Sequence, residues 1–123
     1  MRKLWLFAAL GWTLTILYFC LASSKSLSAF KVPFLGYDKV LHAGIFFTLV
    51  ILWLLYYQSG IVLSKKKYAV VALIIFLYGV LIEILQKMLT QDRHADFFDV
   101  LANLVGIVLA IFIFNIYTKI IRK

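Results

Sequence analysis

The residues able to do chemistry in this chain fall in three short stretches at helical spacing. Asp38, Lys39 and His42 form the first, with Asp38 and His42 four apart and so on one face of any helix that holds them. Glu83 and Gln86 form the second. Arg93, Asp96 and Asp99 follow at intervals of three, and Asn103 comes one turn later. An imidazole or a carboxylate can act as a general base, and a guanidinium can stabilise a developing oxyanion or phosphoryl charge. On that chemistry His42, Glu83 and Asp99 are the candidates for catalysis. Asp38, Lys39, Gln86, Arg93, Asp96 and Asn103 are the candidates for holding a ligand. Asp38, His42, Glu83 and Asp99 also offer oxygen and nitrogen donors to a divalent metal. Their spacing matches no recognised zinc signature, so the expectation is a site without a cofactor, with the metal as a variant. A serine or cysteine nucleophile is not visible: Ser23, Ser24, Ser26 and Ser28 stand beside no paired motif, and Cys20 has no basic partner in its own apolar run.

The elements that must position these residues are apolar. The chain has 123 residues, 65% of them hydrophobic and 15% charged, with a mean hydropathy of +1.02. A water-soluble domain of this size would lack the polar surface to cover such a core. Four runs, 4–22, 40–57, 68–89 and 98–118, each approach the roughly 20 residues that an α-helix needs to cross the hydrocarbon layer. Backbone groups in lipid must satisfy one another, so runs of this length are helices there. The fold expected is an all-α bundle of four transmembrane helices forming a single domain over 1–123. The basic start and the small residues after the first run resemble a secretory signal, but the run is too long and no clean cleavage site follows. One cysteine excludes an intrachain disulfide.

Charge sets the orientation. Arg2, Lys3, Lys65, Lys66, Lys67, Lys119, Arg122 and Lys123 fall on one side of a four-span chain, against Lys25, Lys31, Lys39, Lys87 and Arg93 on the other. The bias places both termini in the cytoplasm and a long first loop outside. The net charge of +8 then belongs to the flanks of the spans, and nucleic acid is not an expected partner. The first loop mixes Leu27, Phe30, Val32, Phe34 and Leu35 with lysines, which suits the outer headgroup zone.

Every acid (Asp38, Glu83, Asp92, Asp96 and Asp99) and both histidines (His42 and His94) fall in or beside the first and third loops, which share a side by parity. Gly79, Glu83, Gln86 and Thr90 make one stripe on the third span. Asp96, Asp99, Asn103, Gly106 and Ala110 make another on the fourth. One polar stripe per helix turns inward, away from lipid, and small residues in the stripe let helices approach closely. Glu83 lies about 6 Å deeper along its helix than Lys87, where a carboxylate needs a partner or a proton. The expectation is a funnel-shaped polar pocket in the outer leaflet, walled by the second, third and fourth spans.

The order D-K-x-x-H at Asp38, Lys39 and His42, E-x-x-Q at Glu83 and Gln86, R-x-x-D-x-x-D at Arg93, Asp96 and Asp99, and N-x-x-G at Asn103 and Gly106 resembles the VanZ-like family of bacterial membrane proteins. The resemblance runs from residue 38 to about 110. The family often carries a second glycine four residues after the first, where this chain has Ala110. The resemblance implies a multi-pass protein of the bacterial inner membrane and a link to resistance against the glycopeptide teicoplanin. It implies no reaction.

Three functions compete at this level. The first is binding of the polar head of an envelope lipid, a lipid-linked cell-wall precursor or a lipopeptide antibiotic, with Arg93 and Lys39 holding phosphate or carboxylate. The second is an intramembrane hydrolase or transferase acting on a lipid-linked substrate. The third is transport, which ranks lower because four helices make a thin channel and the polar stripe stops short of the cytoplasmic side. Against all three stands a purely structural role, in which the polar residues staple helices together.

Overall fold

A computed structural model describes residues 1–21, 38–58, 63–89 and 97–121. These form four helices, α1 (Arg2–Leu21), α2 (Asp38–Gln58), α3 (Lys65–Leu89) and α4 (Phe97–Ile121). All four are long and apolar enough to span a membrane. No strand occurs among the described residues. The long first loop, with Lys25 and Lys31, lies outside the described residues, as do Thr90, Asp92, Arg93, His94 and Asp96.

Contacts between ends define the course of the chain. Cys20, at the end of α1, meets Gln86 near the end of α3. Lys39, at the start of α2, meets Asp99 at the start of α4. At the opposite end Arg2 stacks over the ring of Tyr56, and Tyr68 packs edge-on against Phe114. Successive helices therefore run in opposite directions, with α2 and α4 forming the most extensive pairing.

The helices extend past the apolar runs where polar residues continue them. The run at 68–89 begins a helix at Lys65 because Ser64 precedes it as a cap: its hydroxyl accepts from the Lys67 amide at 3.3 Å. Hydropathy marks the stretch that lipid can cover, whereas capping marks where the helical hydrogen bonds begin. The same distinction carries α2 back to Asp38 and α4 on to Ile121.

The distribution of side chains is that of a protein whose solvent is lipid. Leu73, Ile74, Leu77 and Leu81 on α3 and Val105, Val108, Phe112 and Ile113 on α4 are exposed, while Glu83, Gln86, Asp99, Asn103 and Thr118 are buried. In water that arrangement would expose a continuous apolar surface far beyond what a monomer tolerates. In hydrocarbon it costs nothing on the outside and keeps the polar groups away from lipid. The apolar core beneath the polar end is built on Phe46, Leu49, Val50 and Leu54 of α2, packed with Ile75 and Ile82 of α3 and Ile107, Ala110 and Phe114 of α4.

A polar thread ties α1 to this core. Trp12 donates its indole N–H to the Ile45 carbonyl at 3.1 Å, Trp53 donates to the Thr13 hydroxyl at 3.2 Å, and the Tyr78 hydroxyl donates to the Thr13 carbonyl at 2.6 Å. Thr13 in turn donates to the Ala9 carbonyl. Without a hydrophobic drive between helices in lipid, such bonds and close packing hold α1 in place.

Close packing is most demanding at Gly106. A methyl group there would overlap the Ala43 carbonyl oxygen and lie 3.0 Å from the Ala43 Cα. Backbone cannot yield as a flexible side chain does, so α2 and α4 cross at this separation only because residue 106 has no Cβ. Gly106→Ala is therefore expected to destabilise the bundle by about 2 kcal/mol. Gly11→Ala, where nothing lies within 4 Å, should be neutral or slightly stabilising. Thermal unfolding followed by a thiol-reactive dye suits the comparison, because the lone thiol, Cys20, is buried in the folded chain.

Candidate functional site

The polar stripes of α2, α3 and α4 meet at one end of the bundle. The meeting follows from their positions: His42 lies one turn inside α2, Glu83 two turns before the end of α3, and Asp99 in the first turn of α4. One donor atom each from His42, Glu83 and Asp99 lies within 4.8 Å of the other two. Glu83 is 4% exposed and Asp99 7%, and His42 is half-buried.

The two oxygens of Asp99 face different neighbours. Oδ1 accepts from the Lys39 ammonium, an ion pair whose lysine remains about half exposed. Oδ2 faces His42 Nε2 at 3.8 Å, beyond hydrogen-bonding distance. A carboxylate at this depth loses its hydration, and the lysine restores part of what burial removes. Because Lys39 sits at the rim, that pairing is screened and modest in size.

Below this layer lie Asn103 and Gly79. Asn103, 2% exposed, is one turn inside Asp99, and Gly79 is one turn inside Glu83. The amide nitrogen of Asn103 would come within 3.1 Å of a Cβ at position 79, with the Phe46 ring on the other flank. Gly79 thus makes the room in which the Asn103 amide sits. Its Oδ1 is buried with no hydrogen-bond partner among the described residues. Gln86 faces elsewhere with its nitrogen, which donates to the Cys20 carbonyl at 2.6 Å and fastens α1 to α3.

The cluster borders open space between α3 and α4 at Glu83. A groove of about 420 Å³ there is lined by Val80, Glu83, Ile84, Lys87, Met88, Phe97 and Val100. Its lining is apolar apart from Glu83 and Lys87. A second hollow of about 300 Å³ lies at the opposite end, lined by Lys65, Tyr68, Ala69, Ile111 and Asn115.

The structure thus brings together Lys39, His42, Glu83, Asp99 and Asn103, with Gln86 beside them. Asp38 opens α2, but its side chain, like Arg93 and Asp96, lies outside the described residues. Reasoning from sequence gave α1 no part in this end of the bundle. Its carbonyl at Cys20 was invisible because a backbone acceptor has no residue type to betray it. Thr13 and Trp12 carried a signal, a hydroxyl and an indole at mid-span, that points to interhelical hydrogen bonding.

Four membrane-crossing helices closed around an ionisable cluster define a multi-pass membrane protein with a polar site inside its helical bundle. A family model described as VanZ/LLP1 matches residues 1–118, and the chain belongs to that family. The match takes in α1 as well as the motif-bearing helices. No curated protein and no solved structure matches the chain.

The pairing at the rim can be measured. A double-mutant cycle on Lys39→Met and Asp99→Asn should return a coupling of about 1 kcal/mol, reduced from a fully buried pair by the exposure of the lysine. Additive effects of the two substitutions would show that the ion pair contributes nothing to stability.

Proposed function

We propose that this VanZ/LLP1 protein lies in the bacterial inner membrane, cluster outward, and binds the polar head of an envelope lipid, a lipid-linked cell-wall precursor or a lipopeptide antibiotic. The observation that carries the reading is the groove between α3 and α4, which joins an apolar wall to an ionisable end. An amphiphile arriving sideways from the bilayer lays its chain along Val80, Ile84, Met88, Phe97 and Val100. Its head then reaches Lys87 and, deeper, Glu83 and the layer holding Lys39, His42 and Asp99. The lysines attract phosphate or carboxylate, and Glu83 accepts from hydroxyl or amide groups such as those of a sugar or peptide head. Arg93 and Asp96, close in sequence to α4, are assigned to the same head by the motif they share with Asp99.

The outward placement is supported by the basic residues Arg2, Lys65, Lys66, Lys67 and Lys119 at the other end of the helices, as positive flanks on the cytoplasmic side. Sequestering a cell-wall precursor or the lipid tail of an antibiotic at this surface would connect the site to glycopeptide resistance.

A second reading, hydrolysis or transfer on the same class of lipid-linked substrate, is favoured by the meeting of His42, Glu83 and Asp99. There His42 or Glu83 serves as the general base, and the lysines or Arg93 stabilise the developing charge.

Both readings are separated by one experiment on the purified chain in lipid nanodiscs with a labelled lipid-linked precursor. Saturable binding that Lys87→Ala, Asp99→Asn and Arg93→Ala each weaken about tenfold, or 1.4 kcal/mol, with the ligand recovered intact, is the result expected of a binding protein. Recovery of a cleaved or transferred product selects the enzyme. Binding of equal strength in all three variants would overturn both.

A further inference from the structure

We propose that His42, Glu83 and Asp99 form a binding site for a first-row divalent cation, Zn²⁺ or Mn²⁺, held by one imidazole and two carboxylates. The three donors come from three helices, α2, α3 and α4, and lie within 4.8 Å of one another. Ligands on a tetrahedral zinc at bond lengths of 2.0–2.2 Å stand roughly 3.4 Å apart. The 3.8 Å between His42 Nε2 and Asp99 Oδ2 is too long for a hydrogen bond. It lies within a small side-chain rotation of the spacing that two ligands of one ion adopt.

Asp99 is already oriented for this task. Its Oδ1 is held by Lys39, which leaves Oδ2 on the His42 side. A cation at Oδ2 therefore does not displace the lysine. Lys39 takes the place of the outer partner that fixes a ligating carboxylate. The mixed nitrogen and oxygen donor set suits zinc or manganese better than calcium, which prefers an all-oxygen cage of six or more ligands.

A second, independent observation comes from α4, one turn beyond Asp99. Asn103, 2% exposed, presents a buried Oδ1 that has no hydrogen-bond partner among the described residues. An acceptor left in that state costs free energy unless something donates to it. A water bound to an ion held by the three ligands would supply such a donor. Three protein ligands also leave coordination positions open, and one of them, Glu83, lines the groove between α3 and α4. Two buried carboxylates, a divalent ion and Lys39 together carry one net positive charge.

The test uses the full chain in detergent, free of any polyhistidine tag, stripped with chelator and titrated with Zn²⁺ or Mn²⁺ alone. One equivalent per chain is expected, with affinity at least about tenfold weaker in His42→Ala, Glu83→Gln and Asp99→Asn and unchanged in Lys65→Ala at the opposite end. Where a variant does not fold, the wild-type chain decides: paramagnetic Co²⁺ must shift the imidazole signals of His42 at one equivalent. No stoichiometric binding, equal binding by folded variants, or a Co²⁺ effect confined to His94 overturns the proposal. Because lipid plays no part in this titration, its failure would leave the lipid-binding reading standing, and success would not establish it.

Discussion

The burial of two carboxylates inside a helical bundle that faces lipid is the constraint on which the rest of this structure depends. Glu83 and Asp99 are buried, while large aliphatic residues cover the outside of the bundle. An ionised carboxylate cannot stay in such a place alone. The fold answers by bringing α2, α3 and α4 to the same end, so that Lys39, His42 and Asn103 surround the acids. The helices are thereby fixed in rotation as well as in order: turning α4 by one residue would present Asp99 to acyl chains and Val100 to Lys39.

That polar layer could not form without close packing beneath it. Gly106 lets α4 lie against the backbone of α2 at Ala43, one position from His42. Gly79 makes room on α3 for the Asn103 amide. The two glycines stand in the same stripes as the ionisable residues, Gly79 one turn deeper than Glu83 and Gly106 two turns deeper than Asp99. Steric permission and electrostatic demand are thus written into single helix faces. Interhelical bonds from Trp12, Trp53, Tyr78 and Gln86 then brace α1 against the trio that carries the site.

Much of this was legible in the sequence for a physical reason. Lipid allows few backbone solutions, so four long apolar runs fix four helices, and a polar residue at every third or fourth position fixes the inward face. Asp99, Asn103, Gly106 and Ala110 lie on a buried stripe as their spacing requires. The stripe goes further than the polar pattern indicated, through Phe114 to Thr118, because an aromatic ring on a buried face looks no different in sequence from one that faces lipid. Helix ends escaped because hydropathy reports the bilayer and not the cap at Ser64. The bond from Gln86 to the Cys20 carbonyl escaped because its acceptor belongs to the backbone. What the site is for is legible only as chemistry. Cations, carboxylates and an imidazole beside an apolar groove are the chemistry on which the proposed binding of an amphiphile rests.

The most direct test of the central claim is a distance, taken in a bilayer. Solid-state NMR dipolar recoupling between ¹⁵N in the imidazole of His42 and ¹³C in the carboxylates of Glu83 and Asp99 reports whether the three helices share one polar layer. Strong dephasing from both carboxylates is expected, consistent with donor atoms within 4.8 Å of one another and with the 3.8 Å approach of His42 to Asp99. No dephasing from either carboxylate in folded, lipid-embedded protein would mean that the acids find their stabilisation elsewhere, and the convergence of the three helices on a single site would be refuted.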